Sequence, residues 1–168
     1  HEWMPVGRAT ADRLVSILSV HPQIAGSAAQ GNGEPLVFLS RREAAIRRLT
    51  NEERVEAVLH DLGFDTFVPG LEPFSAQFTM MQSARVVVTT HGAALTNLLF
   101  CRPGTRIVEI FPANFVKSTF AWLCSELGLE YEAVYGTPGD FKQHFSVPPE
   151  AVAAAARKAM SGPDIALV

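Results

Sequence analysis

The sequence predicts an α/β domain: an open parallel sheet with helices on both faces. Three observations carry that expectation. Strand-length apolar runs and helical patterns alternate about five times from Pro35 onward. The run "PLVFLS" (35–40) is continuously apolar, as a strand covered on both faces must be. Small, polar and basic residues gather at strand-to-helix turns, where such sheets bind ligands.

Residues 1–34 are weakly patterned and read as a loosely structured N-terminal segment and linker. Within them "RLVSILSV" (13–20) is compatible with a short helix, and "AGSAAQGNGEP" (25–35) is a linker with a turn signal at "GNG". The ordered domain is expected over 35–161, with 162–168 as a tail. The first strand is 35–40. After a basic loop, Thr50 and Glu53 form a T-x-x-E capping box. Val55, Val58, Leu59 and Leu62 then share one helical face, and Gly63 supplies the left-handed end. "FDTFV" (64–68) is the second strand, and Pro69-Gly70 turns the chain. Pro73 opens a helix reaching about Ser83. Residues 85–90 are the third strand and lead into a helix over 92–100. Pro103-Gly104 turns into the fourth strand, "TRIVEIF" (105–111). A helix over 116–127 ends at Gly128, and "EYEAVY" (130–135) is the fifth strand. A loop with Pro138, Gly139 and Asp140 precedes the last helix, 148–160, which has Pro148 and Pro149 at its entry and Arg157 and Lys158 near its end.

The chain has 168 residues, 48% apolar and 18% charged, which suits one globular domain with a sizeable core. No apolar run approaches the roughly 18 residues a membrane span needs. The first residues carry no initiator methionine and no signal-peptide apolar stretch, so the chain reads as a fragment of something longer. A net charge of −3 makes no case for nucleic acid. Yet Arg41, Arg42, Arg47, Arg48 and Arg54 fall within 14 positions. Such a cluster suits a small anionic ligand or a solvated face. Cys101 and Cys124 are 23 positions apart with no Cys-x-x-Cys, and none of the five histidines has metal-ligand spacing, so a structural zinc site is not expected. The cysteines read as small core residues, with a single disulfide between them as the alternative.

The chemistry concentrates in "VVVTTHGAALTNLLF" (86–100). A helix N-terminus offers N–H groups and partial positive charge to anions. Gly92, Ala93 and Ala94 let a phosphate approach the backbone, His91 stands at the mouth, and Thr96 and Asn97 lie one turn in. Close helix–sheet packing is the alternative use of small residues there. There is no G-x-G-x-x-G and no phosphate-loop lysine motif. In "SRREAAIRRLTNEE" (40–53), Ser40 and Arg41 sit at the end of the first strand. Arginine grips phosphate with two parallel N–H bonds. Arg41 and Arg48 are the expected ligand contacts, and Arg42 and Arg54 the solvated ones. Glu109 lies near the end of an apolar strand, where a carboxylate needs a partner. It reads either as an acceptor for ribose hydroxyls or as half of a buried ion pair, with Arg106 or with an arginine of the basic loop. Phe74, Phe78 and Met81 read as a core stripe on their helix, and Gln77 reads as facing the crevice. Asp140 and His144 share a loop and read as a loop acid and a surface imidazole rather than a dyad.

These pieces, in this order, resemble glycosyltransferase family 61. The matching stretches are "FLSRREAAIRRLTNE", "GFDTFVPGLEPFSAQ", "ARVVVTTHGAALTNLLFCRPGTRIVEIFP" and "LGLEYEAVYG", with "FSVPPEAVAAAARKA" like the family's terminal helix. The resemblance implies a B-type glycosyltransferase, two Rossmann-like halves facing a cleft, with this chain as the donor-binding half. It implies inverting transfer from a nucleotide sugar, commonly UDP-linked, to a polysaccharide or glycoprotein hydroxyl. Carried onto this chain, the diphosphate meets Arg41, Arg48 and the turn at His91-Gly92-Ala93, and ribose or base lies near Glu109, Thr96 and Asn97. Ala94 replaces the family's usual glycine, and its methyl narrows the phosphate approach. No D-x-D motif is present, so no metal is expected. His91 is a weak candidate for the base, which the absent half is expected to supply. A nucleotide- or phosphate-binding module without catalysis is the alternative, and a Rossmann oxidoreductase lacks its glycine fingerprint. Few cysteines and an Arg/Ala-rich composition favour a bacterial cytoplasmic setting, with the Golgi or endoplasmic reticulum lumen as the eukaryotic alternative.

Overall fold

A computed structural model describes residues 7–25 and 34–162 of the chain. Five strands form one parallel sheet: β1 (Leu36–Leu39), β2 (Phe64–Phe67), β3 (Val86–Thr90), β4 (Arg106–Phe111) and β5 (Glu130–Tyr135). Their spatial order is β2-β1-β3-β4-β5. The interior strands β3 and β4 are buried along their whole length, so their residues are mostly apolar and the polar ones among them, Thr89, Thr90, Arg106 and Glu109, are buried too. Edge strand β2 leaves Asp65 and Thr66 exposed.

Helices cover both faces. On one lie α3 (Glu52–His60) and α6 (Pro149–Met160), packed on Val86, Val88, Val108 and Ile110. Val55 and Leu59 of α3 are fully buried, worth roughly 1.5–3 kcal/mol each relative to exposure. On the other face lie α4 (Phe74–Ser83), a 3₁₀ segment (Ala93–Phe100) and α5 (Thr119–Leu127), over Val37, Leu39, Val87 and Ile107. Gly128 ends α5 at φ 67°, and Leu129 N–H returns to the Cys124 carbonyl at 2.8 Å. Cys101 and Cys124 are free, buried core residues.

Several expectations change in detail. Within the stretch read as loosely structured, α1 (Arg8–Ser19) is a packed helix, followed by the short α2 (Pro22–Ala25). Ala11, Leu14, Val15 and Leu18 of α1 sit at helical spacing against the core, and Arg8 donates to the Cys101 carbonyl at 2.9 Å. The "GNG" turn and the tail beyond Gly162 lie outside the described residues. The capping box does not form. Asn51 stands at the N-cap of α3 without a cap bond; its side chain instead clamps Val147, donating to the carbonyl at 2.8 Å and accepting from N–H at 3.2 Å. Thr50 donates to the Phe145 carbonyl beside an isolated Leu49–Phe145 bridge. These side chains tie the β1–α3 loop to the β5–α6 loop, a use more than 90 positions away that local pattern does not reveal. The helix expected at 92–100 is 3₁₀, and the α5 helix starts at Thr119, not at 116.

Candidate functional site

β1 and β3 are neighbours, but β1 leads to β2 on one side and β3 to β4 on the other. Their following loops part at the carboxyl ends of the two strands, the place where such sheets bind ligands. Arg41 and Gly92 both lie there. Gly92 has φ 164° and ψ −175°, extended backbone that any residue adopts, so glycine is needed there for space. A Cβ on Gly92 would overlap the Arg41 guanidinium. Arg41 is half-buried; its Nη2 reaches the Ile46 carbonyl at 3.5 Å and its Nε has no protein partner. Burial, then the neighbouring Arg47 charge, lowers its pKa, with Glu52 acting in the opposite sense.

Arg47 is the second cation of the crevice. It takes the left-handed conformation (φ 56°), which costs about 1–3 kcal/mol for a non-glycine residue. Its N–H bonds to the Lys142 carbonyl at 3.0 Å, and its Nε donates to the His91 carbonyl at 3.3 Å. Its guanidinium lies 5.4 Å from the centre of the Phe115 ring, and Lys117 Nζ lies 5.2 Å from the same ring. Arg41 and Arg47 thus border one turn of backbone, and Lys117 shares the Phe115 ring with Arg47.

Arg48 is not brought into this group. It is exposed, its N–H bonds to His144 Nδ1 at 3.1 Å, and its side chain borders a separate open pocket of about 390 Å³ with Thr50, Asn51 and Arg54. Ser40 is buried and engaged: its hydroxyl donates to Glu52 at 2.5 Å and accepts from Arg42 Nε at 2.9 Å. Arg42 also pairs with Glu56 at 2.7 Å, so it anchors the loop to α3. Asp140 accepts from the N–H groups of Lys142 and His144, a loop staple and not a dyad.

Ala93 is exposed at the start of the 3₁₀ segment and Ala94 is half-buried. Thr96 is exposed and donates back to the Ala93 carbonyl at 2.8 Å. Asn97 donates to Gln77 Oε1 at 2.9 Å, and Gln77 in turn donates to the Pro69 and Glu72 carbonyls. Asn97 and Gln77 therefore brace the β2–α4 loop.

Glu109 is fully buried. His91 Nδ1 meets one oxygen at 2.6 Å, and the Tyr131 hydroxyl donates to the other at 2.7 Å. With both oxygens engaged and no exposure, Glu109 does not meet a ribose. The ion pair drawn with Arg106 does not form either, because alternate strand residues face opposite ways and Arg106 bonds Glu130 at 3.2 Å. The His91 ring stacks on Phe111 with centroids 5.0 Å apart, and Phe115 and Phe120 close around it. Burial, and next the Glu109 carboxylate, push the Cys124 thiol up to about 12; the Tyr131 phenol is raised by burial and by its bond to Glu109.

Arg47, Lys117, Phe115 and Tyr131 were not singled out from sequence. For Tyr131 the sequence held no signal, because its place diagonal to Glu109 depends on the β4–β5 register. For Arg47 against Arg48 there was none either.

Two guanidinium groups beside the Gly92 turn, at the switch point of a doubly wound parallel sheet, define a Rossmann-like domain with a cationic strand-end site. The chain belongs to glycosyltransferase family 61: the family model, Glycosyltransferase 61, matches residues 6–108. It is 30% identical over 93 residues to a xylan glycosyltransferase of Arabidopsis thaliana, covering 51% of this chain and 18% of that protein. It is 35% identical over 65 residues to a beta-1,2-xylosyltransferase of Oryza sativa subsp. japonica, covering 39% and 12%. A beta-1,2-xylosyltransferase of Arabidopsis thaliana is 36% identical over 59 residues, covering 35% and 11%. The alignments thus span less than a fifth of each relative.

Proposed function

We propose that this chain is the donor-binding part of a glycosyltransferase and that its crevice holds the diphosphate of a nucleotide sugar, a UDP-sugar by preference. Arg41 against Gly92 and Arg47 on the adjoining His91 carbonyl together carry this reading. In inverting transfer an acceptor hydroxyl oxygen attacks the anomeric carbon, and the bond from that carbon to the diphosphate breaks. The diphosphate leaves with the electron pair, and the hydroxyl proton passes to a base. Charge grows on the leaving oxygens, so preorganised cations lower the barrier. Arg41, Arg47 and Lys117 can supply that charge without a metal. The acceptor is a hydroxyl of a polysaccharide or glycoprotein, and the names of the relatives favour a xylosyl donor.

A binding module without transfer is the second reading. It is favoured by Glu109, the carboxylate closest to the crevice histidine, being wholly engaged and so unable to act as a base. Calorimetry with UDP, NAD and inorganic phosphate tests the ligand class. UDP binding lost in Arg41→Ala is the expected result; equal response to NAD overturns the nucleotide-sugar reading. Xylosyl transfer by the complete protein, abolished by the same substitution, separates transferase from module. The relatives are plant proteins, which gives a bacterial cytoplasmic setting no support and favours the secretory-compartment alternative. Among the described residues no helix is long and apolar enough to cross a membrane.

A further inference from the structure

We propose that Tyr131 is a positioning residue of the donor crevice, acting through Glu109 to hold His91 with its Nδ1 protonated and its Nε2 as the nitrogen left to a ligand. The proposal rests on the donor-site reading above for its functional consequence, but not for its geometry.

The chain of contacts is continuous. Tyr131 on β5 donates to Glu109 Oε2 at 2.7 Å, and Glu109 Oε1 meets His91 Nδ1 at 2.6 Å. The strand register builds it. Glu109 pairs with Thr89 on one side and Ala133 on the other, so a small side chain lies directly across from it on β5. Tyr131, two positions earlier on the same face, reaches Glu109 diagonally, as long side chains do between neighbouring strands. His91 follows two positions after Thr89. No water-exposed route competes, because Glu109 is 0% exposed and His91 8%.

Hydrogen-bond bookkeeping then assigns the proton. An ionised carboxylate only accepts. The raised phenol keeps its proton and donates to Oε2. Oε1 then accepts from Nδ1–H, and the imidazole is left with Nε2 on its far edge. Phe111, Phe115 and Phe120 fix the plane of the ring, but they cannot choose between its tautomers. The carboxylate does that, and Tyr131 fixes the carboxylate. Cys124 of α5 is the other titratable neighbour of Glu109, and burial keeps it a neutral thiol that leaves both oxygens to these donors. The carbonyl of His91 is also the acceptor for Arg47, so the residue joins the buried relay to a cation of the crevice.

Long-range ¹H–¹⁵N correlation of the histidine rings tests this on the chain without nucleotide. In the wild type, His91 Nδ1 is expected in the protonated range. A bare Nδ1 with protonated Nε2 overturns the proposal at once. Tyr131→Phe removes only the hydroxyl, leaves Oε2 buried without a donor, and is expected to weaken the Nδ1–H signature and UDP affinity by several-fold. A His91 spectrum identical to wild type in this variant means that Tyr131 only packs, and overturns the proposal. Glu109→Gln is the second variant. With Tyr131 donating to its carbonyl oxygen, the amide NH₂ faces Nδ1, so His91 is expected to switch to the Nε2–H tautomer; retention of the wild-type tautomer counts against the relay. If the wild type fails to bind UDP, the donor-site reading falls, while the ring spectra still decide the relay.

Discussion

The guanidinium of Arg41 occupies the space that a side chain on Gly92 would need. The backbone there is extended, so Gly92→Ala introduces a collision without dihedral strain. The flexible arginine gives way and leaves the crevice. A charge-assisted bond is worth about 1.5–3 kcal/mol, so UDP affinity is expected to fall roughly 10- to 100-fold. Calorimetry reads the affinity, and an urea titration is expected to show nearly unchanged stability. Unchanged affinity would remove Arg41 from the site.

Arg47 and Arg48 are adjacent and differently used. Arg47→Ala removes a cation and the bond to the His91 carbonyl, and is expected to weaken UDP binding by about 10-fold or more. Arg48→Ala is expected to change it less than about 3-fold, since that side chain borders the neighbouring pocket. Equal losses in both variants would place the diphosphate elsewhere.

Glu109→Ala strips a buried carboxylate from two donors. Leaving two buried donors unsatisfied costs about 1–3 kcal/mol each, enough to consume much of a domain's stability. The expected reading is a large drop in the urea midpoint. A drop below about 1 kcal/mol would mean that water reaches the site, contrary to its burial.

Alkaline pH probes the same cluster. The folded state holds the Cys124 thiol up near 12 from an ordinary value of 9.0, and raises the Tyr131 phenol from 10.0. Above about pH 9 the unfolded chain sheds protons that the folded one retains, so ν_U − ν_N is negative and stability falls as pH rises. Stability measured from pH 8 to 12 is expected to decline through this window, and less steeply in Cys124→Ala. Below pH 8 neither group contributes a slope.

Crevice cations that neutralise a diphosphate by themselves need no divalent ion. UDP affinity is therefore expected to be equal, within about 2-fold, in magnesium and in a chelator, measured at one ionic strength. A requirement for magnesium would contradict the metal-free reading.

Much of this protein was legible before any coordinates. The mainly apolar stretches Val86–Thr90 and Arg106–Phe111, with no regular polar alternation, announced strands buried on both faces. Gly63 and Gly128 marked helix ends through their left-handed backbone. The alternation of strand and helix put Arg41 and His91 at strand-to-helix turns, where such sheets bind ligands. These are consequences of period and chain order, which are local and written in the residues. Partnerships were a different matter. Nothing local distinguishes Arg47 from Arg48; a left-handed residue in the loop does. Nothing near Asn51 or Asn97 names Val147 or Gln77, and Glu109 found His91 and Tyr131 only once three strands had taken their register. A polar side chain bonds whatever donor or acceptor folding carries within about 3 Å of it, and that distance is set by the whole chain.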